Sequence, residues 1–250
     1  MDSSLEIKNN PAVPKEFVSQ NLTVFEKILS ELESISNVAK EILSQNVSNN
    51  GKVDNVLLEK FQHEAHGFAW FETYRFSLRE TLSWYSALCR QGKDSELESS
   101  ILVYAFSEYL NQMRHGIMIS QSEVIRPSTL GLDDSKFSFC DTPEVKELIS
   151  YGISELVKQT MINSIENGIF PNLGLNDDTL DMIQDQFKKF TDEEIIPHAN
   201  EWHLKDDLIP DQILSKMAEL GVFSIAIPES YGGLGMGKVA MCVVTEELSR

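Results

Sequence analysis

Apolar residues in the first part of the chain return at intervals of three and four: Val18, Leu22, Phe25, Leu29, Leu32, Ala39 and Leu43, with a lapse near Ser36. That spacing lays one apolar stripe along an amphipathic helix over residues 14–45. A polar Asn/Ser/Gly break at 46–51 follows, and Asp54 is placed to cap a second long helix running through Trp70 and Trp84 to about Arg90. Gln91-Gly92-Lys93-Asp94 closes it. A third helix is predicted over about 95–119, with Ile101, Tyr104, Ala105, Tyr109 and Met113 on one face. Three long helices with short turns predict an antiparallel bundle.

The pattern changes at Arg126-Pro127-Ser128-Thr129-Leu130-Gly131-Leu132-Asp133-Asp134, where Pro, Gly and Asp favour turns and a linker is expected. Asp141-Thr142-Pro143-Glu144 reads as a helix start, with the helix continuing to Asn167 and stopped by Gly168. Asp177-Asp178 opens another helix through Phe187 and Phe190 toward Trp202, bent at Pro197, whose ring removes a backbone donor. A shorter helix is expected over 211–220, closed by Gly221 in the left-handed position. Only 222–227 is strand-like, and it is too short and solitary to build a sheet. The predicted class is all-α: an accessory helical bundle at 1–135, a connecting helix and linker at 136–175, and a further helical domain at 176–250.

Composition narrows the function. With 21 Lys/Arg against 39 Asp/Glu the formal charge is −18, and both halves of the chain are acidic. Phosphate backbones and anionic lipid surfaces are held by clustered cations, so neither nucleic acid nor a membrane is expected as the main partner. Cys89, Cys140 and Cys242 are odd in number and far apart, which suits reduced thiols rather than a disulfide framework or zinc site. The start, Met1-Asp2-Ser3-Ser4-Leu5-Glu6, has no basic segment followed by an apolar one, and no apolar run approaches the roughly 20 residues a bilayer requires. A soluble, cytoplasmic protein is expected.

Candidate chemistry is sparse. His63-Glu64-Ala65-His66 sets its histidines three apart, where a helical zinc motif needs four, and no Glu-x-x-His pair of the di-iron type occurs. No metal is expected. Gly232-Gly233-Leu234-Gly235-Met236-Gly237-Lys238 fits a phosphate loop, yet Val239 stands where magnesium needs a hydroxyl. The aromatic group Trp70, Phe71, Tyr74, Phe76, Trp84 and Tyr85 reads as core packing, and the acidic runs at 192–194 and 206–207 as solvated surface.

One ordered series remains: Pro197-x-x-x-Glu201, Ile209-Pro210, Met217-Ala218-Glu219-Leu220-Gly221, Ile227-Pro228-Glu229-x-Tyr231-Gly232-Gly233-x-Gly235, and Glu246-Glu247-Leu248. It resembles the N-terminal helical domain of acyl-CoA dehydrogenases, over about residues 178–250. The resemblance implies an FAD-dependent oxidoreductase that removes an α proton from an acyl-CoA with a carboxylate base while hydride leaves the β carbon for the flavin. It also implies an electron acceptor as partner and a homo-oligomer. In the family the middle and C-terminal domains supply the base and most flavin contacts, so no catalytic residue is assigned here. Tyr231, Gly232, Gly233 and Gly235 are the pocket-wall candidates that the resemblance implies.

The chain stops at Arg250 inside a helical pattern, so it is expected to end before the FAD-binding middle domain, to be inactive alone and not to bind FAD by itself. Gln62-His63-Glu64-Ala65-His66-Gly67-Phe68-Ala69-Trp70 and Arg126-Pro127-x-x-Leu130-Gly131-Leu132 are similar to an extra helical domain that precedes the dehydrogenase core in some long bacterial relatives. Two alternatives stay open: a self-contained helical interaction module, or a relative with oxidase, nitroalkane oxidase or alkylation-response chemistry.

Overall fold

The computed structural model describes residues 13–250, and the reading of the first six residues lies outside them. The chain divides into two units after Gly174. In the first, α1 (Pro14–Val47) starts on a proline whose missing N–H would have had no helical partner. Phe17, Val18, Phe25, Ile28, Leu32, Ile35 and Ala39 form its buried stripe, while Leu22 faces solvent. The lapse at Ser36 is itself buried, and its hydroxyl donates to Glu72 Oε1 at 2.6 Å. Arg75 grips the same carboxylate with Nε and Nη2, both at 2.8 Å. Burial pushes the Glu72 carboxyl up, but the bonds from Arg75 and Ser36 outweigh it and hold the group below the usual range.

The polar break is a hairpin, with β1 (Ser48–Asn49) paired antiparallel to β2 (Lys52–Val53) through Asn50 and Gly51. Both turn residues have positive φ, 53° and 75°, the backbone an Asn-Gly hairpin turn requires. Asp54 accepts from the amides of Val56 and Leu57 at 2.9 and 3.1 Å, as a helix cap should. The expected single helix is broken at Phe61 into α2 (Asn55–Lys60) and α3 (Gln62–Gln91). Phe71 and Tyr85 enter the core, and Trp70, Tyr74 and Trp84 pack against it. Phe76 instead lies on the surface, with the guanidinium groups of Arg75 and Arg79 over its ring at 4.4 and 4.2 Å from the centroid.

Helix α4 (Glu96–His115) opens on a reciprocal cap in which the Leu97 amide donates to Ser95 Oγ, and the Ser95 amide to Glu98 Oε2. It ends four residues before the expected limit, because Gly116 leaves helical backbone at φ 144°. β3 (Ile117–Met118) then pairs with β4 (Val124–Ile125). The expected linker at 126–134 is not a detached segment. Pro127–Leu130 is a turn of 3-10 helix, and Leu130, Leu132, Phe137, Phe139 and Cys140 join the core built by α1, α3 and α4. Its Pro and Gly reverse the backbone, while the apolar residues between them keep it buried.

The expected helix to Asn167 is two helices, α5 (Pro143–Gly152) and α6 (Glu155–Glu166). Gly152 lets α5 press on α4: a Cβ there would stand 2.0 Å from Ser107 Oγ and 2.5 Å from the Val103 carbonyl. The Ser107 hydroxyl faces two carbonyl acceptors, Val103 O at 2.8 Å and Leu148 O at 3.1 Å, and so ties the two helices.

The second unit contains α7 (Asp178–Phe190), a π-helical turn (Thr191–Ile195), α8 (Ile196–Lys205), α9 (Asp211–Glu219) and α10 (Gly237–Ser249). Pro197 has no amide to give, and the Ile196 amide reaches back five residues to Thr191 O. The bend is thus a one-residue slip in the hydrogen-bond register. Phe187, Ile225, Ala240 and Val244 make a small core. The strand-like 222–227 segment is no strand: Val222–Ser224 is 3-10 helix and Ile225 continues with helical dihedrals. No strand among the described residues pairs with it, and its carbonyls at 224, 225 and 227 receive the amides of Leu234, Met236 and Gly235. The all-α class holds, with the two short hairpins as the only strands among the described residues.

Replacing Gly152 by Ala should lower stability by at least about 1–3 kcal/mol, since the obstacle includes backbone, and thermal unfolding by circular dichroism measures the loss. Burial pushes the Cys140 thiol up to about 11 from an unfolded value near 9.0. Because the folded thiol holds its proton longer, its contribution is complete below pH 9 and fades as pH rises from 9 to 11. Urea midpoints of Cys140→Ala should therefore fall less than those of the parent across that window. At pH 8 a disulfide reagent should titrate the exposed Cys89 and Cys242 first, and Cys140 only on unfolding.

Candidate functional site

The glycine-rich loop after α9 is built by the segment before it. Gly221 takes φ 83° at the helix end, and a Cβ there would meet Leu234 Cδ1 at 2.7 Å, so Leu234 lies on the bare glycine. Pro228 starts a 3-10 turn (Glu229–Tyr231) that ends on Gly232 at φ 82°. The amides of Tyr231, Gly232 and Gly233 donate to Pro228, Glu229 and Pro228 carbonyls at 2.9, 2.9 and 3.3 Å. Those of Leu234, Gly235 and Met236 donate to Ser224, Ile227 and Ile225 at 3.0, 2.8 and 2.9 Å. Gly233 is needed for the close approach, because a Cβ would fall 2.1 Å from the Ile227 carbonyl oxygen.

This arrangement decides what the loop can bind. Phosphate loops and the pyrophosphate of a dinucleotide are held by unpaired backbone amides, and all six amides from 231 to 236 are already bonded. Residues 231–236 therefore offer no free amide to a pyrophosphate. The loop offers side chains instead. Tyr231 is 84% exposed, and Phe223 (58%), Ile227 and Leu234 are also open to solvent. Gly232 has no atom within 4 Å of a built Cβ, whereas Gly233 and Gly235 face the loop's own atoms. Of the four pocket-wall candidates, Tyr231 presents a side chain outward and the glycines shape the turn.

Behind the loop, the acidic pair at 246–247 divides its roles. Glu246 is exposed, while Glu247 is buried, accepting from Gln184 at 3.0 Å and from Arg250 Nε at 2.6 Å. Arg250 also donates to Asp192 at 2.6 Å and to Lys188 O at 3.3 Å, joining α10 to α7 and the π-helical turn. Asp192 is thus a tether. No cluster of three or more His, Cys, Asp or Glu suited to a metal occurs among the described residues.

Residues 177–250 match the acyl-CoA dehydrogenase, N-terminal domain. That match spans the second unit from the start of α7 to the end of α10. Over 233 residues it is 39% identical to the (2S)-methylsuccinyl-CoA dehydrogenase of Cereibacter sphaeroides, an alignment covering 92% of this chain and 42% of that protein. Glutaryl-CoA dehydrogenase of Desulfococcus multivorans is 38% identical over 73 residues, 28% of this chain and 19% of its own length. Mitochondrial isovaleryl-CoA dehydrogenase of Arabidopsis thaliana is 38% identical over 77 residues, 30% of this chain and 19% of its own. The chain spans less than half the length of these curated relatives. A 233-residue alignment also reaches well into the first unit, so that unit is shared with the methylsuccinyl-CoA enzyme.

The first unit's own motif is a clamp. Trp70 Nε1 donates to His66 Nε2 at 3.0 Å, which leaves the His66 proton on Nδ1, 3.2 Å from Glu123 Oε1. His63 Nδ1 lies 3.3 Å from the same oxygen, and Gly67 admits Ile125, whose Cγ2 would stand 2.9 Å from a Cβ. Residues 62–70 thus grip the β3–β4 hairpin through Glu123 and Ile125. Sequence reasoning weighed the two histidines for metal and missed Glu123, because only folding brings residue 123 to them.

Gly233→Ala should cost at least about 1–3 kcal/mol of stability, since its obstacle is backbone. Tyr231→Ala should change stability by no more than about 0.5 kcal/mol. Denaturant unfolding of the two variants beside the parent measures both.

Proposed function

We propose that this chain forms the N-terminal part of an FAD-dependent acyl-CoA dehydrogenase-like oxidoreductase that introduces an α,β double bond into an acyl-CoA thioester. The observation that carries this reading is the alignment with (2S)-methylsuccinyl-CoA dehydrogenase across most of both units, together with the match at residues 177–250. A short branched acyl-CoA with a distal carboxylate is the substrate class this favours. On this reading the complete enzyme works in the cytoplasm as a homo-oligomer and passes electrons to a separate acceptor.

The chain's own contribution is scaffold and surface. All six loop amides are engaged, so we assign the flavin and the catalytic base to polypeptide other than these residues, and the chain alone should be inactive. The second unit supports this division: Leu208 (90%), Phe223, Val239 (57%) and Met241 are exposed around a core of few residues. So much open apolar surface favours a covered position inside a larger enzyme over a self-contained interaction module. No helix among the described residues is long and apolar enough to cross a membrane.

The test uses two proteins. The 250-residue chain, mixed with FAD and (2S)-methylsuccinyl-CoA, should retain no visible flavin absorbance after gel filtration and reduce no dye. A chimera joining it to the part of the Cereibacter enzyme beyond the aligned region should hold flavin and reduce dye when the acyl-CoA is added. Activity of the chain alone would refute the division of roles, and a folded chimera without flavin would refute the assignment itself.

A further inference from the structure

The first unit has a cavity of about 420 Å³ at the C-terminal end of α4, lined by Arg114, His115, Arg126, Ser128, Asp134 and Phe137. Its two arginines converge because of strand register. Ile117 pairs with Ile125, so the antiparallel ladder brings Gly116 opposite Arg126 and returns the chain beside the end of α4. The bare Gly116 lets β4 come this close, since a built Cβ would stand 2.7 Å from Val124 Cγ1. Among the described residues Arg126 and His115 form no ion pair, as Arg90 forms none, whereas Arg75, Arg79, Arg114 and Arg250 do. Arg114 gives Nη2 to Asp141 at 2.8 Å, and the rest of its five N–H donors stay available. Phe137, 1% exposed, supplies an apolar wall, and Asp134 is the one acid on the lining.

Two arginines meet at this cavity in a protein of net charge −18, Arg114 paired with Asp141 on one side and Arg126 without an ion pair, beside the single lining carboxylate of Asp134. Its volume lies within the range of small-molecule sites. We propose that this cavity binds a small oxyanion, a phosphate or carboxylate group, clasped between the guanidinium groups of Arg114 and Arg126. Forked guanidinium donors match the paired oxygens of either group, and the apolar wall accommodates a short carbon chain attached to it. The site is independent of the dehydrogenase reading, since none of its residues lies in the second unit.

Calorimetric titration of the 250-residue chain with inorganic phosphate, and separately with succinate, at constant ionic strength tests it. The expected result is saturable one-site binding of at least one of them, weakened about tenfold or more by Arg126→Gln and less by Arg126→Lys. Arg90→Gln, which removes an exposed arginine outside the cavity, should leave binding unchanged. Saturation by phosphate alone identifies a tetrahedral ligand, and by succinate alone a carboxylate. No saturable binding of either, or equal binding by the folded Arg126→Gln protein, overturns the proposal.

Discussion

The first unit depends on burying one helix from several sides. Leu102, Val103, Phe106, Leu110 and Met113 of α4 are at most 1% exposed, and α1, α3, α5 and α6 all pack on it. Such a helix must also carry its polar groups into the core satisfied. Ser99, Ser100 and Ser107 do so by donating to the carbonyls of Ser95, Glu96 and Val103, four residues back in each case, and Glu98 turns inward to its cap. Its second carboxylate oxygen accepts from the Asn172 amide at 2.9 Å, so the segment near the end of the unit is held to the start of its central helix.

The second unit rests on a different constraint. Its core is small, and its shape comes from backbone reciprocity: carbonyls of 224–229 receive the amides of 231–236. That exchange requires glycine where the two segments touch. It also explains why the residues that mark the family are mostly internal. Gly221 seats Leu234, Gly233 meets Ile227, and Glu247 anchors Arg250. Facing outward, Phe223, Ile227, Tyr231 and Leu234 are open to solvent among exposed acids such as Glu229 and Glu246.

Much of the fold was legible because its signals are local. Helix stripes follow from three-and-four spacing, and Asp54, Asp177 and Gly221 act where short-range capping and left-handed backbone predict. The failures share a cause. The linker expected at 126–134, the unbroken helix to Asn167 and the strand at 222–227 each depend on contacts from distant segments, which local sequence does not carry. The helix stops after Gly152, where α5 meets Ser107 of α4 and Ser154 turns extended to cap α6, and 222–227 is taken up by 3-10 geometry whose carbonyls receive the amides of 234–236.

The candidate site divides in the same way. Residue order alone determined the all-α class, the family resemblance and the importance of the glycines at 232–235, since these are encoded by neighbours a few positions apart. Tertiary structure alone decided that the loop's amides are consumed by residues 224–229, that Glu123 joins His63 and His66, and that Arg114 and Arg126 share a cavity. Hydrogen bonds and charges act over a few ångströms of space, and only the folded chain makes distant residues neighbours at that range.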